Sequence, residues 1–116
     1  EPDPDAAYRH AVLAVEAVAI PLVLPDAAKG TLGTVVAHIR DTVPRWSVGG
    51  LDAEQIASGE TLYAMLRTLW HNQERHARSD GTVVDVAQAE AEAAVSLAVV
   101  LIHWFSTGLV VRTDLR

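Results

Sequence analysis

Residues 85–108 read DVAQAEAEAAVSLAVVLIHWFSTG, and the fold turns on what this stretch becomes. Asp85 and Gln88 have the spacing of a capping box, so a helix is expected to start here. Gly108 is the residue favoured just past a helix end, which places the stop near Thr107. Residues 93–111 carry no formal charge, a length that invites comparison with a membrane span. Ser96, His103, Ser106, Thr107 and Gly108 lie inside the run, and Glu90 and Glu92 precede it in the same helix. Such a segment is expected at the centre of a helical bundle, apolar all round because it is surrounded, with no membrane involved.

Working backwards, the other elements are helical too. Asp3 or Asp5 can cap a first helix over 6–20, rich in Ala, Val and Leu, whose end Pro21 and Pro25 are expected to set. Thr31 opens a second, with Leu32, Val35, Val36 and Ile39 at helical spacing and His38, Arg40 and Asp41 opposite. Residues 42–50 read as a loop. Asp52 and Gln55 form another capping box and start a short helix, interrupted at Ser58-Gly59. A long helix over 60–78 follows, with Leu62, Met65, Leu66 and Leu69 as its apolar stripe. Residues 109–116 read as a tail. The expected fold is all-α: an up-and-down bundle of four main helices plus a short extra one, in a single domain over 1–116. The chain opens on Glu1, which suggests a piece of a longer parent protein.

Composition narrows the function classes. The 116 residues are 50% hydrophobic and only 5% aromatic, with no Cys and a net charge of −6. Without Cys there are no disulfides, thiolate metal sites or Cys nucleophiles, and a cytoplasmic address is expected. So few aromatics argue against a stacking groove for single strands, and Trp46, Trp70 and Trp104 read as core or interface anchors. Half the chain being apolar is more than a monomer of this length needs, and a homodimer core is the simplest place for it.

Polar chemistry concentrates in residues 67–78, RTLWHNQERHAR. Three arginines against one glutamate give this segment +2, which leaves −8 on the rest of the chain. A polyanion would be held here and repelled elsewhere. At about 100° per residue, Arg67, His71, Arg75 and Arg78 share an arc of roughly 80°, and Asn72 and His76 form a second pair about 140° from His71. Guanidinium forks grip phosphate oxygens at two points, and an imidazole titrates near neutrality, as proton transfer at a ribose hydroxyl requires. The plainer alternative is a solvated face near a helix C-terminus, where cations offset the dipole. His71 and His76 are five apart, so no metal pair is expected, and no cofactor motif occurs. Glu16, set among Val12, Val15, Val18 and Ile20, is expected to be partly buried and paired, with an arginine of a neighbouring helix such as Arg75, or a cluster histidine, as partner. His103, on the apolar last helix, reads as a satisfied core histidine.

The order of these segments resembles a known family. Residues 5–17 with Ala14-Val15-Glu16-Ala17, then Thr31-Leu32-Gly33, then Leu69-Trp70-His71-Asn72-Gln73-Glu74-Arg75-His76-Ala77, then the Ala/Glu run 89–94 entering an apolar helix, together look like the HEPN superfamily (higher eukaryotes and prokaryotes nucleotide-binding), abortive-infection C-terminal type. The resemblance implies a dimeric helical bundle that binds RNA and, in active members, cleaves it without a metal through the ribose 2′-hydroxyl. Carried over, His76 is the acid/base, Asn72 the positioning polar residue, and His71 stands where the family has arginine. Arg75 or Arg67 would then supply the guanidinium, and Ala77 replaces a frequent glycine. Arg78 adds a phosphate contact and Glu16 a supporting carboxylate. The implied setting is phage defence or toxin–antitoxin action, with an antitoxin or parent chain as partner. The alternative is a non-catalytic dimerisation or sensor module of a larger defence protein.

Overall fold

The computed structural model describes residues 3–26, 29–51, 58–76 and 87–113, without the side chains of residues 72–76. The described elements are α1 (Pro4–Val23), α2 (Leu32–Asp41), a 3-10 turn (Val43–Arg45), β1 (Trp46–Val48), α3 (Ser58–His76), α4 (Gln88–Ser106) and β2 (Val110–Arg112). The chain is mostly helical, with one small two-stranded sheet.

Helix starts follow local chemistry. Asp3 caps α1, its carboxylate accepting from the Ala6 N–H at 3.1 Å, with Pro4 as the first helical residue. Thr31 caps α2 in a reciprocal pair with Thr34. The start of α4 differs from expectation. Its cap is Ala87, with no side-chain hydrogen bond, and the helix begins at Gln88. Asp85 and the short helix expected after Asp52 lie outside the described residues.

Helix ends need two further corrections. Pro21 does not stop α1, which runs on to Val23. Pro21 lacks the N–H that would bond the Ala17 carbonyl, but both residues face solvent, where water can serve that carbonyl. The Leu24 N–H resumes the ladder on the Ile20 carbonyl at 2.8 Å, and Val23 is buried. Ser58-Gly59 is likewise not a break but the first turn of α3. A Cβ on Gly59 would stand 2.5 Å from the carbonyl oxygens of both Val43 and Trp46, so only glycine lets α3 start against that backbone. Ser58 Oγ, buried beside it, accepts from the Val48 N–H at 2.7 Å.

The expected loop at 42–50 and tail at 109–116 are joined. Trp46, Ser47 and Val48 pair antiparallel with Arg112, Val111 and Val110. Gly108, at φ +78°, ends α4 and turns the chain back, with the Leu109 N–H bonded to the Trp104 carbonyl across the helix end. Trp46 is buried, its indole N–H donating to Thr42 Oγ1 at 3.0 Å and its ring lying 5.7 Å below the Arg112 guanidinium.

The core runs between α1 and the other helices. Tyr8, Ala11, Val12, Val15, Ala19 and Val23 of α1 face Ala91, Ala94, Ala98, Leu101 and Phe105 of α4, with Leu32, Val35 and Ile39 of α2 and Leu62, Leu66 and Leu69 of α3 completing it. The small residues Ala11, Ala19, Ala91, Ala94 and Ala98 let α1 and α4 approach closely along their length. Their N-terminal turns lie together, Ala7 beside Gln88, Ala91 and Val95, so the two helices run the same way, unlike the first and last helices of the expected up-and-down bundle. Tyr8 ties α1 to α3, its buried hydroxyl donating to the Leu69 carbonyl at 2.9 Å.

Neither α1 nor α4 is surrounded. Leu13 of α1 and Val95, Val99 and Val100 of α4 are exposed. His103 is exposed as well, and is not a core histidine. Both helices are long and apolar enough to cross a membrane by length and composition.

Candidate functional site

The polar site lies between α2 and α3, away from the apolar α1–α4 pair. On α3, Tyr63, Arg67, Trp70 and His71 fall at i, i+4, i+7 and i+8, and so share one face. On α2, Gly33, Val36, Ala37 and Arg40 fall at i, i+3, i+4 and i+7 and do the same. The two faces enclose a groove of about 320 Å³.

Glycine sets its depth. A Cβ on Gly33 would stand 2.7 Å from Cε2 and Cζ2 of Trp70, so the bare backbone lets the indole lie directly on α2. Trp70 is half-buried there, as is Tyr63, while Arg40, Arg67 and His71 reach solvent at the rim. Glu16 holds the α2 start in place. Its carboxylate accepts from the Leu32 N–H at 2.6 Å, on the first turn of α2, where negative charge also meets the positive end of the helix dipole. Among the described residues the partner of Glu16 is thus a main-chain N–H; the side chains of Arg75 and His76 lie outside the description.

Among the described residues, the groove lining holds two guanidiniums, one imidazole, a phenol and an indole. Asp41 stands just outside, 3.1 Å from Arg40 Nε. That hydrogen bond, and then the Asp41 charge, raise the Arg40 pKa above its ordinary value. The pair is exposed and so contributes little to stability. An anion seated between Arg40 and Arg67 would meet donors from two helices, Arg40 sharing its guanidinium with Asp41.

Of the residues singled out in sequence, Arg67 and His71 meet in this groove. Asn72, Arg75 and His76 are in the last turns of α3, but their side chains lie outside the description, and Arg78 lies outside the described residues altogether. Arg40, Tyr63 and Trp70 are groove residues that the sequence pattern did not single out for binding. Gly33 was the available signal: a glycine inside an otherwise good helix marks a close approach, and Arg40 is two turns further along the same face. Among the described residues, no group of three or more His, Asp or Glu side chains is placed to hold a metal ion.

No family model matches this chain, and neither do any of the curated proteins or solved structures.

Proposed function

We propose that the chain is an RNA-binding helical domain of HEPN type that seats the phosphate backbone in the α2–α3 groove. The carrying observation is the convergence of Arg40, Arg67 and His71 on one groove of an acidic protein. Guanidiniums recognise phosphate oxygens bidentately, and the half-buried Trp70 walls the groove beside them. Cleavage on this reading is metal-independent. His76 acts as general acid or base, Asn72 positions the scissile phosphate, and Arg75 with His71 stabilises its developing charge.

The test is fluorescence anisotropy with a single-stranded RNA in EDTA, followed by product analysis on gels. Binding is expected to weaken steeply with salt and to fall in an Arg40→Ala/Arg67→Ala variant. Cleavage is expected to stop in His76→Ala with the helical circular dichroism unchanged. Absence of RNA binding by the wild type overturns the proposal; binding without cleavage leaves a binding domain and removes the catalytic roles.

A second reading, a non-catalytic dimerisation module of a larger defence protein acting in the cytoplasm, is favoured by a different observation: the apolar surface left open on α1 and α4.

A further inference from the structure

The outward face of α4 has an internal symmetry. Glu92 and His103 are both exposed and 11 residues apart, which is about 16 Å along the axis and only about 20° around it. Between them lie the three exposed valines of the helix, Val95 at 42%, Val99 at 60% and Val100 at 38%, together with exposed Ser96. No formal charge stands between Glu92 and His103. The strip is thus acidic at one end, imidazole at the other and apolar in the middle. Neither ionisable end group is used by the core: Glu92 receives only a long 3.4 Å contact from Gln88 Nε2, and the His103 side chain faces solvent.

We infer that this strip is the contact with a second copy of the chain, the two α4 helices packing antiparallel about a dyad midway between Glu92 and His103. An isologous interface must be complementary to itself, and this strip is. Turned about that dyad, Glu92 comes beside the partner's His103 at both ends. Val95 falls beside the partner's Val99, and Ser96 beside the partner's Val100. A parallel pairing would set Glu92 against the partner's Glu92 and gain nothing from the histidines. Beside Val95 and Ser96, a shallow apolar hollow of about 330 Å³ also bounded by Ala7 and Ala91 receives the flank of the partner's helix. The three valines are 38–60% exposed in a single copy, and the contact across the dyad removes that apolar surface from water. The inference is independent of the α2–α3 groove, because its readout is association, not RNA.

Sedimentation equilibrium without detergent tests it. The wild type is expected to be dimeric. Val99→Glu, at the most exposed position and so without consequence for folding, is expected to weaken association about tenfold or more by placing unpaired charge in the contact. Glu92→Arg is expected to weaken it, and Glu92→Arg with His103→Glu to restore it. Because the chain has no native Cys, orientation is read directly. A mixture of Glu92→Cys and His103→Cys chains is expected to form a disulfide under mild oxidant, whereas Glu92→Cys alone is not, since the bridge needs Cβ atoms about 4 Å apart. A monomeric wild type, a Val99→Glu dimer of unchanged strength, or cross-linking of Glu92→Cys alone overturns the inference. So does flotation of the wild type, but not Val99→Glu, with phosphatidylcholine vesicles, which assigns the face to a bilayer.

Discussion

The α1–α4 pair and the α2–α3 groove are built from opposite materials. The pair is joined by alanines and by aliphatic side chains, and it leaves valines and leucines in solvent. The groove has a glycine–indole contact at its floor, above the shared core, and it leaves two arginines and a histidine in solvent. The pair therefore carries much of the core and keeps an apolar outer surface. The groove adds less to stability and gathers the charge. Tyr8 and Glu16 of α1 are the links, one bonded to the α3 carbonyl at Leu69 and the other to the α2 start at Leu32.

This division can be broken experimentally. Leu101→Ala, inside the α4 core face, is expected to lower stability by about 2–5 kcal/mol in urea unfolding while leaving RNA affinity per folded molecule unchanged. A parallel loss of affinity would show that the two regions are not separable. The Arg40→Ala/Arg67→Ala variant should do the reverse: RNA affinity falls about tenfold to a hundredfold, as for lost charged hydrogen bonds, with stability within about 0.5 kcal/mol of wild type. Tyr8→Phe removes a buried hydrogen bond to the Leu69 carbonyl, which keeps its helix partner, and is expected to cost about 0.5–1.5 kcal/mol, read as a lower urea midpoint. Glu16→Gln keeps the shape but removes the charge at the α2 start. Its expected cost is smaller, about 0.5–1 kcal/mol, and hydrogen exchange should locate it in the first turn of α2.

How much of this was legible in the sequence depends on the range of the interaction. The caps at Asp3 and Thr31, the Gly108 stop and the apolar stripe of Leu62, Leu66 and Leu69 are local patterns, and each falls where the spacing placed it. Pro21 was misjudged because its cost depends on whether water reaches the Ala17 carbonyl, which is a matter of burial. The β1–β2 pairing was missed because three-residue strands carry almost no periodicity and Trp46 meets Arg112 across 66 positions. At the site, Arg67 and His71 were evident as a stripe on one helix. Arg40 was not, because a groove needs a second wall and only packing decides which helix provides it.

The sequence by itself determined the helical character, the starts of α1 and α2 and the concentration of cations in 67–78, since these follow from neighbours within about one turn. Tertiary structure alone decided that α1 and α4 are covered on one side only, that His103 faces solvent, that Glu16 bonds a main-chain N–H, and that Arg40 joins Arg67 and His71. An apolar helix has the same composition whether it is surrounded or half-covered, and the difference lies in how many neighbours reach it.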